Sequence, residues 1–458
     1  MPQLCLAVAS LALSTSRPVS VVLLANRLSL VLPYLLCYHT LLSSAVVSNT
    51  ELDSYLAGEY GIDQNNIPDK AVYAKKYEQW QLSHQPFHWF VEFYGIIKNG
   101  GFDVIIGNPP YVEYSKVRYI YSIQKNVLRT IDCGNLFAYA TERAISLACE
   151  KGRVGLIVLL ASFGTTRMYP LQQLCRENCD LIIASHYEAT SHPSVIFVGV
   201  EAQLSIILSR KATLENAKRG HYYTTNYIRT YSIERPYLFE RLSYSALKGD
   251  IWNQRMPRLC DAIENSILEK LQSKYQAFSG ITEIQKDGLY FRSMGNFFWK
   301  LAFTQEPVFQ INAIQQRSST LSEIQVPKPK EVTQALIYSN VFYWYWSIYS
   351  DVYHLTKSDI LGFPFNILLL NENNLHGLVD LAKSVETELF RTAKYGDYQR
   401  KNGRYVFHRF FPHSSKPIID EIDRVLAQHY GFTDEELDFI INYDIKYRMG
   451  RDSGEEDE

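Results

Sequence analysis

Along this chain apolar positions recur with two periods, one helical and one extended, and the change of period marks out its elements. Leu52–Tyr60 and Ala71–Trp80 carry helical spacing among polar and aromatic residues. Phe102–Gly107 is a short apolar strand ended by Asn-Pro-Pro. Leu136–Glu150 returns to helical spacing, and Lys151-Gly152 closes it. Val154–Leu160 is a continuous buried-strand run, Met168–Cys179 is predicted helical, and Leu181–Ser185 is predicted as another strand. After a turn at His192-Pro193, Gln203–Ser209 alternates apolar and polar residues. Strands separated by helices predict a parallel sheet covered on both faces. The short link between the last two strands predicts an antiparallel pair at the sheet edge.

Beyond Arg210 the pattern is mixed and rich in Tyr, Phe and Trp, with apolar runs such as Ala335–Tyr349. Ile418–Gln428 and Asp434–Tyr443 have helical spacing, and the acidic tail Gly454–Glu458 is expected to be disordered. The first 48 residues differ from all of this. Leu28–Val47 is nearly uncharged and about long enough to cross a bilayer. No positive charge precedes Leu4–Leu13, which argues against a signal peptide. The expectation is non-native or poorly ordered sequence rather than a membrane anchor. The predicted divisions are residues 1–48, a catalytic part at 49–212, a target-recognition region at 213–415, and C-terminal helices with the tail at 416–458.

Composition narrows the class. With 458 residues the chain can bury a large core, and a formal net charge of -2 excludes a uniformly basic nucleic-acid binder. A local basic groove remains compatible with it. Seven cysteines without regular spacing fit reduced thiols in the cytoplasm better than a disulfide framework. Cys175, Cys179, His186 and His192 invite a zinc reading, but they lack a second ligand pair at metal spacing. Pro68-Asp69 has no nearby Glu-x-Lys partner for a nuclease, and Asp69 is expected to cap a helix.

The chemistry is concentrated in Asn108-Pro109-Pro110-Tyr111, at the carboxyl end of a strand where open α/β sheets bind ligands. Two prolines fix φ and remove two donors, leaving a rigid turn that presents acceptors. The Asn108 side-chain oxygen and the Pro109 carbonyl can face one NH₂ group, with Tyr111 as a flat face beside them. Such a site would hold a planar amine and draw its nitrogen toward sp³ geometry, ready to attack an electrophilic methyl group. A base inside a duplex reaches the site only by flipping out.

Gly101–Tyr111 (GFDVIIGNPPY) resembles the catalytic motif of adenine-specific DNA methyltransferases of type II restriction-modification systems. The likeness is closest to the large ones fused to, or partnered with, an endonuclease. Gln85–Phe90, Gly134–Phe137 and Gly152–Val158 are similar to the segments around that motif, and the resemblance runs from residue 50 to about residue 450. It implies S-adenosylmethionine as cofactor, contacted near Asn135 and Phe137, and double-stranded DNA as partner. Ser194–Glu201 resembles the loop whose aromatic residue stacks on the flipped base opposite Tyr111, which assigns that role to Phe197. Lys394, Arg400, Lys401 and Arg404, interleaved with aromatics, are the candidate DNA-binding residues.

In that family a cofactor half precedes the catalytic motif, and no Gly-x-Gly turn after a strand occurs between Met1 and Gly100. The expected fold class is therefore α/β: an incomplete Rossmann-like methyltransferase sheet of about four strands, followed by a mixed α+β target-recognition domain. Truncation is the first explanation; a separate chain supplying the cofactor half or a nuclease is the second; the N-terminal apolar stretch covering the exposed surface is the third. The competing functions are a DNA-binding remnant without catalysis and a protein-glutamine methyltransferase. The long aromatic region after Arg210 argues against the latter.

Overall fold

The computed structural model describes residues 21–24, 49–84, 86, 88–119, 123, 127–189, 202–213, 220–229, 232–247, 255–273, 285–294 and 298–449. The chain forms two compact units, residues 1–242 with 254–256, and residues 243–253 with 257–458.

In the first unit, β1 (Val21–Leu24) is followed by α1 (Asn49–Glu59) and α2 (Lys70–His84). Asp69 Oδ1 accepts from Ala71 N at 2.8 Å and Val72 N at 3.1 Å, the helix cap expected of it. Next come β2 (Phe102–Gly107), α3 (Leu136–Leu147), β3 (Ala148–Leu159), α4 (Tyr169–Asn178), β4 (Cys179–Tyr187), β5 (Leu204–Lys211) and β6 (His221–Ile228). These strands lie in one sheet in the order β1-β2-β3-β5-β4-β6. The first three are parallel, β5 runs against both its neighbours, and β6 is parallel to β4.

Three expectations are corrected. The antiparallel strand β5 is interior, not at the edge, because its polar positions are buried with partners. Ser205 is fully buried beside His186 Nδ1 at 2.8 Å, and Ser209 donates to the Val154 carbonyl at 3.5 Å. The sheet holds six strands in this unit rather than about four, since β1 and β6 were both unrecognised. β6 reads as polar, yet Thr224 and Thr225 are buried and bonded, Thr224 Oγ1 standing 3.0 Å from His186 Nε2. Finally, α3 stops at Leu147 rather than Glu150. Lys211 Nζ donates to the carbonyls of Ser146 and Ala148 at 3.2 and 2.7 Å, meeting groups that the last helical turn leaves unpaired.

The start of β3 is fitted closely to β2. Phe102 pairs with Ala148 and Val104 with Arg153, so Cys149–Gly152 bulges out of register. Gly101 has φ +115°, and a Cβ there would lie 2.3 Å from the Leu147 carbonyl oxygen. A Cβ on Gly152 would lie 2.9 Å from the Phe102 oxygen.

The second unit begins with α5 (Ala262–Ser273). Its strands are β7 (Lys286–Arg292), β8 (Ala302–Phe303), β9 (Phe309–Ile311), β10 (Ile314–Gln315) and β11 (Leu321–Pro327). Helices α6 (Lys330–Tyr338), α7 (Asn340–Tyr349) and α8 (Glu372–Thr392) follow, then β12 (Lys394–Arg400) and β13 (Gly403–Arg409). α9 (Lys416–Tyr430) and α10 (Asp434–Asn442) complete it. One antiparallel sheet runs β11-β7-β8 and another β10-β9-β13-β12.

The apolar run at 335–349 is two helices broken at Ser339, and every residue of α7 is buried. That burial is possible because its first backbone donors are met: Asp423 of α9 accepts from Asn340 N and Val341 N at 3.2 and 3.1 Å. Among the described residues no helix is long and apolar enough to cross a membrane; Leu28–Val47 lies outside them, as does the acidic tail.

Gly101→Ala forces a left-handed backbone on a side chain that meets the Leu147 carbonyl, so it should destabilise the chain by about 1–3 kcal/mol. A urea midpoint equal to that of the wild type would contradict the close fit. Burial raises the carboxyls of Glu264 and Asp423 to about 7. Their unfolded values lie near 4, so the folded state binds more protons between these limits and loses stability as pH rises through 7. The urea midpoint should be lower at pH 8 than at pH 5, and Glu264→Gln should shrink the difference.

Candidate active site

β2 is apolar enough to run through the sheet interior, with Phe102, Val104 and Ile105 buried and parallel partners on both sides. Pro109 and Pro110 have no N–H to continue the ladder, and the chain leaves the sheet just past Gly107. The tetrapeptide is thus placed at the carboxyl end of a parallel strand. Pro109 is buried, while Asn108, Pro110 and Tyr111 are half-buried.

Tyr111 folds back over this turn. Its hydroxyl donates to Asn108 Oδ1 at 2.6 Å and lies 3.0 Å from the Ile157 carbonyl oxygen on β3. Its ring packs against Ile157, Tyr187, Leu204, Ile206 and Leu238. Burial pushes the phenol well above its ordinary range, so it remains a neutral donor. The expectation that Tyr111 offers only a flat face is therefore incomplete. It also orients the Asn108 amide, and one of the two lone pairs on Oδ1 is already used.

Beyond Tyr111 the chain is fastened by a cluster that sequence reasoning did not find. Glu113 and Asn135 form a β-bridge, Leu136 N donates to the Val112 carbonyl at 2.9 Å, and Tyr114 N donates to the Gly134 carbonyl at 2.9 Å. Asn135 Nδ2 donates to Glu113 Oε1 at 3.0 Å, and Arg167 Nη1 reaches the same oxygen at 3.2 Å while its Nη2 bonds Oε2. Burial alone would raise the Glu113 carboxyl, but the bonds from Arg167 and Asn135 outweigh it and hold the group below its usual range. Gly134 has φ +64°, and a Cβ there would meet Arg167 Nη2 at 2.7 Å. That glycine was the one signal available in the sequence.

The other predicted residues are placed as follows. Asn135 is 2% exposed and caps α3, accepting from Phe137 N at 3.4 Å; Phe137 is 0% exposed. Both shape the helix start. Phe197 lies outside the described residues, as does His192 of the zinc reading. His186 is fully buried between Ser205 and Thr224, and Cys175 and Cys179 are buried thiols that burial raises. Lys394, Arg400, Lys401 and Arg404 all lie on the hairpin β12–β13 of the second unit. Arg404 is paired there with Asp397 at 2.9 Å (Nε to Oδ1), so it brings less free charge than its sequence position suggests.

Residues 17–190 match the family model of the Eco57I restriction-modification methylase. An 87-residue stretch is 36% identical to a Methanocaldococcus jannaschii protein described as a type II restriction enzyme and methyltransferase. That stretch covers 19% of this chain and 7% of that protein. Among solved structures, the DrdV–DNA complex superposes with a TM-score of 0.26 at 13% identity, covering 36% of this chain and 19% of that one. A nuclease-deletion mutant of the Type ISP restriction-modification enzyme LlaGI, in complex with a DNA substrate mimic, gives 0.31 at 11% identity, covering 45% and 19%. The ATP-dependent Type ISP enzyme LlaBIII bound to DNA gives 0.31 at 9%, covering 67% and 32%.

The Glu113–Arg167 pair is exposed, so its loss should cost under about 1 kcal/mol of stability. Its effect should be local. Arg167→Ala is expected to speed hydrogen exchange of the amides of Tyr114 and Leu136, leaving those of β4 unchanged. Unaltered exchange at both amides would show that Arg167 does not fasten this loop.

Proposed function

We propose that this chain, whose residues 17–190 match the family model of the Eco57I restriction-modification methylase, transfers a methyl group from S-adenosylmethionine to the exocyclic amine of an adenine flipped out of DNA. The observation that carries this reading is the Asn108 amide, held by the Tyr111 hydroxyl at the carboxyl end of β2. The amine needs two acceptors. The second lone pair of Asn108 Oδ1 and the Pro109 carbonyl supply them, and the rigid turn keeps both in place before the substrate arrives. Accepting a hydrogen bond from each amine N–H concentrates the nitrogen lone pair on the side away from the acceptors. No strong base is required, and the neutral Tyr111 phenol does not act as one.

A flipped base leaves its stacking partners and must find others. The half-buried ring of Tyr111 offers one face, and Phe197 is the proposed partner on the other side. When bound, the cofactor would supply an electrophilic methyl. Asn135 and Phe137, which fix the start of α3, are its proposed contacts. In the second unit the β12–β13 hairpin supplies the proposed phosphate contacts, whose strength should fall as salt rises.

Asn108→Ala should lower transfer of a labelled methyl group to mixed-sequence duplex DNA by about a hundredfold or more, the scale of losing one preorganised transition-state bond. Duplex affinity should be unchanged. Equal transfer by the variant would sink the assignment of Asn108, and no transfer by the folded wild-type chain would leave DNA binding without catalysis.

A further inference from the structure

The hairpin β12–β13 has two unlike faces, and the cross-strand register sorts its residues between them. Tyr398 pairs with Tyr405 and Gly396 with Phe407; β9 places Phe309 opposite Phe407 and Ile311 opposite Tyr405. Since side chains alternate, these residues share one face with Arg400, while Asp397 and Arg404 pair with each other on the other. The shared face lines a cleft of about 580 Å³ in the second unit, together with Arg292 and Arg317.

The lining combines aromatics and cations without a carboxylate. The Tyr398 and Tyr405 rings lie side by side, 5.9 Å apart and 20° from parallel. The Arg400 guanidinium lies 4.9 and 5.5 Å from their centroids and donates to the Tyr398 hydroxyl at 3.1 Å. Phe407 lies across Gly396, where a Cβ would come within 2.4 Å of the ring. Arg317 is occupied by Glu306 at 2.9 Å and Glu323 at 3.2 Å. Arg292 is different: its Nε is buried without a hydrogen-bond partner. A buried guanidinium nitrogen without an acceptor is costly unless a ligand completes it.

We propose that this cleft binds one unstacked nucleotide of a DNA strand, its base against Arg400 and Phe407 and its phosphate on Arg292. A planar guanidinium laid over tyrosine rings is a stacking surface for a base, and a flat aromatic beside it extends that surface. The phosphate pairs with the Arg292 guanidinium, whose Nε has no hydrogen-bond partner. The volume falls within the roughly 300–1,000 Å³ of small-ligand sites, which admits a nucleotide and excludes a duplex. The inference rests on DNA as the substrate, and it singles out Arg400 from Lys394, Lys401 and Arg404, the other candidate DNA-binding residues of the hairpin. It does not involve Asn108 or Tyr111.

The probe is a duplex carrying one bulged 2-aminopurine nucleotide, compared with the fully paired duplex. Affinity and fluorescence are measured on the full chain carrying Asn108→Ala, which separates binding from methyl transfer. The bulged duplex should bind roughly tenfold tighter and its fluorescence should be quenched. Arg400→Ala and Arg292→Ala should each remove that advantage, whereas Arg404→Ala, on the opposite face, should keep it. Equal affinity for the two duplexes, or an equal loss with Arg404→Ala, would overturn the cleft assignment while leaving DNA as the substrate. Binding to neither duplex would overturn both.

Discussion

The approach of β2 to β3 governs the carboxyl end of the sheet. Gly101 and Gly152 let the two backbones close at a distance that no side chain permits, and Cys149–Gly152 is thrown out as a bulge to make the fit. From there the register runs without interruption, Val104 with Arg153 and on to Gly107 with Leu156. The next residue on β3 is Ile157, whose carbonyl lies 3.0 Å from the Tyr111 hydroxyl. The turn that carries Asn108 is therefore tied to the neighbouring strand, and a slip in register would carry the acceptor away from Tyr111. Local chain geometry and site geometry are one constraint here.

Polar groups inside the sheet reinforce it. His186, Ser205 and Thr224 come from three adjacent strands and satisfy one another in the core, and Glu188 meets Arg229 at 2.7 Å where both side chains are almost fully buried. Unpaired, each would cost more than an apolar residue in the same place. Paired, they favour one strand order over others that would leave them unmet. The second unit uses the same device around α7. Asn340 and Asp423 bond at 2.5 Å, and the Arg448 guanidinium stands 4.1 Å from the Trp299 centroid and 4.4 Å from that of Tyr343. An apolar helix can be wholly enclosed there because the groups at its start have acceptors.

On the hairpin of that unit, charge in the sequence and charge available to a ligand are different quantities. Arg400 and Arg404 are four residues apart and chemically alike. One lies over tyrosine rings in a cleft without carboxylates, and the other is held by Asp397 on the opposite face. Strand alternation separates them, and any account of nucleic-acid contacts has to begin from that separation.

The order of helices and strands from Phe102 to Lys211 was legible because each element there has a strong period and ends at a breaker. The tetrapeptide stood out because prolines at a strand end admit few conformations. Strand order was not legible: whether an alternating strand lies inside or at the edge depends on partners brought from elsewhere, as Ser205 shows with His186. β6 was missed for the same reason, its threonines being polar in sequence and buried in the fold. Glu113 and Arg167 are 54 residues apart, and only the fold sets them side by side just beyond the Asn-Pro-Pro-Tyr turn. Local chemistry, carried by residues that are neighbours in the chain, was determined by the sequence itself. Which distant groups complete one another was decided by the tertiary structure, since buried donors and acceptors must be matched through space.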